Sequence, residues 1–406
     1  MWLFLLVPIL TEMQEDTLAI GTAPGVAGQL WNYWGVYDGH AGSWTAQILQ
    51  DLLIPYVSKA LSKLNRFSTD YDINDTIAKS FLQLDDQMFT NAKTQAAWQP
   101  PLSARGFEAV LPVISGSCAL LAMFDPKSSI LRVACVGDSR AVLGRWDPVE
   151  EKYVAMPLSR DQTGFNESEV ERVKKDHPGE DDILDPSTGR LLGMAITRAF
   201  GDHRWKWPDE IIQQIQYKFW GSRPRPNSRT PPYMTAEPVI TETEIERGDG
   251  PGSKADFLIM ASDGLWDTMS NETAVKLVQL WLEARDRGNG KVAQDPQLEP
   301  NKRAAPYGAP EPGVTYDSEA KQYPTWEVEP QYYAIEDETA GACLARNAFG
   351  GTRRGLVTGV LAMPSPISRN VRDDTTIIVV FFDRVPDEDK PPLVPKVGTG
   401  KLSIGW

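Results

Sequence analysis

The sequence predicts an α+β fold organised as one catalytic domain. Three observations carry this: apolar β-rich runs that follow one another as meanders, long stretches with apolar residues at helical spacing, and no internal repeat. Residues 31–38 (WNYWGVYD) are aromatic and apolar and run into Asp-Gly, the pattern of a buried strand ending in a turn. Residues 43–64 carry Ala46, Leu49, Leu53 and Tyr56 at helical spacing. A second helix is expected over about 73–89, with Ile77, Phe81, Leu84 and Met88 on one stripe. Residues 116–124 and 130–136 are two more strands, and Gly137-Asp138-Ser139 turns the chain into a return strand near 141–146. Asn166 followed by Glu169 has the pattern of a capping box opening a short charged helix to Asp176. Residues 256–261 (DFLIMA) read as a buried strand. A helix over about 271–285 follows, with Val275, Val278 and Leu282 on one face, and 375–382 (TTIIVVFF) is the most strand-like run. Residues 204–233, rich in Trp, Arg and Pro, and 287–337, rich in Pro, Gly and Glu, read as insertions into one core, the second an exposed loop excursion.

Composition removes several function classes. With 41 basic and 55 acidic residues in 406, the formal charge is −14, and such a surface repels nucleic-acid backbones. The chain is long enough to bury a large core without staples. Cys118, Cys135 and Cys343 form no CxxC, which disfavours a disulfide framework and a structural zinc site and suits a reduced, intracellular compartment. With only His40, His177 and His203, a centre needing several histidines is excluded. The apolar start MWLFLLVPIL is far shorter than the ~20 residues of a spanning helix. It lacks the basic region of a signal peptide and reads as an apolar first strand within an atypical N-terminus, residues 1–13. No transmembrane segment is expected.

Four acidic motifs stand where apolar strands stop: Asp38-Gly39-His40, Gly137-Asp138-Ser139, Ser262-Asp263-Gly264 with Asp267 one turn on, and Arg372-Asp373-Asp374-Thr375. Glu15-Asp16 is a fifth candidate. Each alone is a common turn, as Asp249-Gly250 is read to be. As a set they can converge at one edge of the sheets, and clustered carboxylates repel unless a cation neutralises them. All-oxygen ligands point to Mg²⁺ or Mn²⁺. His177 and His203 lie in charged stretches and read as solvated, and Lys174-Lys175 reads as a wet helix face. Thr197, Arg198 and Asp202 read as structural, with a minority reading in which they shape a substrate flap. Trp205 and Trp207 read as packing beneath the insertion.

In this order, GVYDGHAG, ACVGDSRAVLG, MAITRAFGD, ASDGLWD and RDDTTIIVV resemble the signature blocks of the metal-dependent serine/threonine phosphatases of the protein phosphatase 2C (PPM) family. ERVKKDHPGE, AFGDHRWKW and PPYMTAEPVIT resemble its pyruvate dehydrogenase phosphatase branch, in a fungal-looking form. The resemblance implies a four-layer α/β/β/α sandwich, two antiparallel sheets face to face with helices outside. The domain would cover 14–384, with loops inserted at about 204–233 and 287–337 and a C-terminal tail at 385–406. It also implies two bound Mg²⁺ or Mn²⁺ ions and a weaker third. By resemblance, Asp38 bridges the first two, Gly39 gives its carbonyl, Asp263 and Asp373 complete the first, Glu15 serves the second, and Asp138 and Asp267 belong to the third. His40, in isolation a turn histidine, becomes beside Asp38 the general acid.

One departure stands out: Thr11 lies four residues before Glu15, where the family has a phosphate-binding Arg or, in the pyruvate dehydrogenase phosphatases, Asn. The expected reaction is hydrolysis of phosphoserine or phosphothreonine by a metal-activated water. The implied substrate is the phosphorylated E1 component of pyruvate dehydrogenase, in the mitochondrion; without that resemblance the cytoplasm is expected. A cysteine-based phosphatase is excluded because no phosphate-loop Arg follows any cysteine, and a P-loop enzyme because no GxxxxGK[ST] occurs. The competing reading is a non-catalytic pseudophosphatase that binds phosphoproteins.

Overall fold

The structure, a computed structural model, describes residues 3–5, 14–248, 254–288, 312–315, 325–364 and 367–383. In chain order, β1 (Leu3–Leu5), β2 (Thr17–Pro24), β3 (Leu30–Tyr37) and the two-residue β4 (Gly39–His40) lead to three helices, α1 (Trp44–Leu61), α2 (Asp70–Trp98) and α3 (Ala104–Ile114). A meander follows: β5 (Gly116–Ser117), β6 (Ala119–Asp125), β7 (Ile130–Val136), β8 (Arg140–Asp147) and β9 (Lys152–Pro157). Next come α4 (Glu167–Asp176), β10 (Phe200–Gly201), α5 (His203–Lys206), α6 (Asp209–Phe219), β11 (Val239–Glu244) and β12 (Phe257–Ala261). The chain then forms α7 (Asp263–Trp266), α8 (Asn271–Arg287), a small hairpin of β13 (Val314–Thr315) and β14 (Thr325–Trp326), α9 (Ala340–Ala348), α10 (Arg354–Ala362) and β15 (Ile377–Phe381).

Two five-stranded antiparallel sheets result, in the orders β11-β7-β6-β3-β2 and β1-β15-β12-β8-β9. Alternation along the strands decides what each face meets. On β3, Trp31, Tyr33 and Tyr37 pack towards helix residues Leu49, Leu53, Phe81 and Val110, while Trp34 and Val36 pack with Leu258, Met260, Ile378 and Val380 of the opposite sheet. The far face of the second sheet, with Phe257, Ile259 and Val379, is covered by Val278 and Trp281 of α8 and Leu344 of α9. The expected α/β/β/α layering is therefore present. Each large apolar side chain fully buried in these seams contributes about 1.5–3 kcal/mol. Among the described residues, no helix is long and apolar enough to cross a membrane.

Local differences from the sequence reading have physical causes. Helix α2 starts at a capping box between Thr69 and Asp72 and runs to Trp98, past the expected 89, because Ala92 and Ala96 continue its buried stripe with side chains too small to register as a hydrophobic period. On α4, Asn166 caps the helix by accepting from the Ser168 amide, but Glu169 does not close a box. Its carboxylate instead accepts from Arg172, Arg198 and the Thr197 hydroxyl. Within 204–233, Trp205 and Trp207 pack inward as expected, and Ile212, Ile215, Phe219 and Tyr233 are buried with them. His177 and His203, expected to be solvated, are buried too. His177 packs tilted against the Tyr233 ring and bonds Thr230, and His203 bonds the Val113 carbonyl. Lys174 and Lys175 are exposed, as expected. Thr11, Asp249-Gly250, the 385–406 tail and much of 287–337 lie outside the described residues.

Candidate active site

Both sheets deliver acidic side chains to one place. From the first sheet, β3 ends at Asp38 and the β7–β8 turn carries Asp138. From the second, β12 stops at Ser262 so that Asp263 opens α7, and Asp373 and Asp374 precede β15. Glu15 and Asp16 precede β2. Backbone bonds stitch these ends together. The Cys118 amide donates to the Asp38 carbonyl at 2.8 Å, the Ser262 amide to the Thr376 carbonyl at 3.1 Å, and the Glu15 amide to Asp374 Oδ2 at 2.8 Å. Two glycines permit the close approach. A Cβ on Gly39 would lie 2.3 Å from the Glu15 carbonyl oxygen, and one on Gly264 would lie 2.3 Å from that of Asp374.

The electrostatics of this corner are those of crowded, dehydrated anions. Burial, then the charges of Asp16, Asp263, Asp138 and Asp373, push the Asp38 carboxyl well above the usual range. Burial and the charges of Asp138, Asp373, Asp267 and Asp16 push Asp263 up to about 8. Burial pushes Asp16 up to about 7 against the lowering bonds from Ser262 and Thr376, and one of its oxygens, Oδ2, has no partner although the residue is only 4% exposed. Asp138 and Asp267 are likewise raised, chiefly by burial. Ligand atoms of Asp38, Asp138 and Cys118 all lie within 4.8 Å of one another. The Cys118 thiol donates to Asp138 Oδ1 at 3.2 Å and is held protonated by burial and by the charges of Asp138 and Asp38. A set of carboxylates that raise one another, with an orphaned buried oxygen among them, fits hard divalent cations.

His40 lies two residues past Asp38, its Nε2 2.7 Å from Asp202 Oδ2. Burial opposes its charge, but the Asp202 carboxylate, with Asp138 and Glu15, leaves the imidazole raised overall.

Of the residues singled out in the sequence, Asp38, Asp138, Asp263 and Asp373 lie close enough to raise one another, Asp267 joins through Asp263 and Asp373, and Gly39 is buried between Asp38 and the Glu15 backbone. The Glu15 carboxylate accepts from the Gly42 amide at 2.7 Å and pairs with Arg369. Its neighbour Asp16 is the acid that acts on Asp38. Sequence reasoning missed three participants: Asp16 as the inward acid of its pair, Cys118, and Asp202 as the partner of His40.

Residues 12–298 match the family described as protein phosphatase 2C. A protein phosphatase 2C homolog of Schizosaccharomyces pombe is 37% identical over 361 residues, covering 87% of this chain and 74% of the relative. The mitochondrial [pyruvate dehydrogenase [acetyl-transferring]]-phosphatase 1 of Saccharomyces cerevisiae is 35% identical over 379 residues, covering 89% of this chain and 63% of its own length. Its Homo sapiens namesake is 31% identical over 334 residues, covering 78% and 56%. The chain thus spans about three-fifths of the length of these two phosphatases.

Proposed function

Because the chain belongs to the protein phosphatase 2C family of metal-dependent serine/threonine phosphatases, we propose that it hydrolyses phosphoserine and phosphothreonine on proteins. We propose the phosphorylated E1 component of pyruvate dehydrogenase as its substrate and the mitochondrion as its compartment, on the strength of its kinship with the pyruvate dehydrogenase phosphatases. The observation that carries the chemistry is the convergence of dehydrated carboxylates from both sheets, which supports a divalent-cation centre. Asp38, the Gly39 carbonyl, Asp263, Asp373 and Glu15 would hold two Mg²⁺ or Mn²⁺ ions, with Asp138 and Asp267 at a weaker third position and Asp16 behind them. When bound, such ions neutralise the acids, screen the phosphoryl oxygens and make water a competent nucleophile.

The protein's own part is orientation and proton transfer. As the water oxygen bonds to phosphorus, the bond to the seryl Oγ breaks and its electron pair passes to Oγ. His40, with Nε2 engaged by Asp202, has Nδ1 available to give that oxygen a proton. Products are the serine hydroxyl and inorganic phosphate, and the ring regains its proton from solvent. Cys118 is not a nucleophile, because its thiol is buried and held protonated.

The test is hydrolysis of p-nitrophenyl phosphate and of a phosphoserine peptide by the purified chain with Mn²⁺ or Mg²⁺. Turnover should vanish with chelator and fall at least ~10³-fold in Asp38→Asn. A folded protein with no turnover in either metal would sink the proposal in favour of a phosphoprotein-binding scaffold. Equal rates on phosphorylated pyruvate dehydrogenase and on a generic phosphopeptide would remove the specific substrate.

A further inference from the structure

We propose that Asp202 is a positioning residue for His40, and that the small sheet β4-β5-β10 exists to bring the two together; this rests on the reading of His40 as the proton donor. The pair is separated by 162 residues of chain, yet Asp202 Oδ2 sits 2.7 Å from His40 Nε2. Asp202 is only 2% exposed, so its carboxylate is a dehydrated acceptor with a fixed direction. A ring nitrogen held this way fixes both the imidazole plane and which nitrogen faces the substrate.

The backbone around the pair is built for this contact. β4 and β10 both pair with β5, and Gly116 of β5 lies opposite His40 on one side and Gly201 on the other. A Cβ on Gly116 would fall 2.1 Å from His40 Nε2 and 2.3 Å from Asp202 Oδ2, so only a glycine there leaves room for the contact. Asp202 itself is left-handed, with φ 59° and ψ 49°, a conformation that Asp and Asn tolerate better than other side-chain-bearing residues. Its amide donates to the Ser115 carbonyl at 3.0 Å. The preceding Gly201 amide donates to Asp85 Oδ1 at 2.9 Å, and Asp85 is in turn paired with Lys206 at 2.6 Å. Asp202 is thus anchored from both neighbouring elements while its side chain is spent on one ring nitrogen.

The leaving group separates this role from a structural one. A seryl oxygen must be protonated as it departs, whereas p-nitrophenolate leaves without a proton. In the Mn²⁺-loaded chain, Asp202→Asn should slow kcat on a phosphoserine peptide about 10–100-fold more than kcat on p-nitrophenyl phosphate. His40→Ala should give the same signature at equal or larger size. Gly116→Ala should reproduce it, because the added methyl meets only the far ends of the two side chains and pushes them apart. Gly116→Ala also carries the test if Asp202→Asn does not fold, as judged by circular dichroism. Equal losses on both substrates in Asp202→Asn and Gly116→Ala, with discrimination kept in His40→Ala, overturn the inference and leave the proposed reaction standing. Equal losses in His40→Ala as well overturn the proton-donor reading and the inference with it.

Discussion

Replacing Asp263 by Asn should stabilise the protein without metal while abolishing its activity. Asp263 is raised from 3.8 to about 8 by burial and by the charges of Asp138, Asp373, Asp267 and Asp16. A carboxyl whose folded pKa exceeds its unfolded one penalises the native state above pH 3.8, and the penalty grows until the pH reaches about 8. At pH 7, about 1.36 kcal/mol per pH unit over that interval gives an upper figure of about 4 kcal/mol. The repulsion is shared among five acids, and neutralising one relieves the others, which leaves about 2 kcal/mol as the lower figure. For a domain of this size, 1 kcal/mol moves Tm by about 1–2 °C, so Asp263→Asn should melt about 2–8 °C higher than wild type in chelator at pH 7. At pH 4 the difference should disappear. With saturating Mn²⁺ the order should invert, because the cation stabilises only the intact carboxylate set. Circular-dichroism melts under these conditions decide the matter. An Asp263→Asn protein less stable than wild type in chelator at pH 7 would refute the view that these acids repel one another in the fold.

Two further outcomes follow from groups away from the cation centre. His203 is pushed down to about 4 from 6.5, chiefly by burial, so the unfolded chain binds its proton first. Its contribution is complete above pH 6.5 and is lost as the pH falls towards 4, at most about 3 kcal/mol; His203→Phe should flatten that part of the acid unfolding curve measured by tryptophan fluorescence. Glu169 is buried against Arg198 at 2.7 Å, and Glu169→Gln would leave that guanidinium without its counter-charge. The expected loss is about 3–5 kcal/mol, seen as a lower urea midpoint at unchanged m.

The strands that could be read in the sequence are those whose apolar runs are long and unbroken, such as WNYWGVY and IIVVF, and the acids at their ends were legible for the same reason. Asp38, Asp138 and Asp263 each follow a run that must be buried and Asp373 stands just ahead of one, so the place where the run stops or starts is marked by the change between polar and apolar residues. Asp202 obeys the same rule, following Phe200-Gly201, but a two-residue strand has no period to announce it. Asp16 was hidden for another reason: adjacent residues on an extended segment point to opposite sides, and nothing in Glu15-Asp16 says which side is inward. His177 and His203 were misread because their charged neighbours in sequence point to solvent while the rings turn inward onto Tyr233 and Val113.

The seam between the two sheets acts as a calliper for the catalytic corner. Asp38 and Asp138 ride on one jaw and Asp263 and Asp373 on the other, and what sets the gap is the interdigitation of Trp34, Val36 and Leu120 with Met260, Ile378 and Val380. A methyl group removed deep in that interior lets the jaws slip by a fraction of an ångström, which a close-packed core absorbs as a small loss of stability. Cations held between the jaws, as proposed above, would have far less tolerance for a change of spacing. Interior apolar residues with no part in the reaction would then be gauges of cation affinity, and wear in the seam would register there before it registered as unfolding.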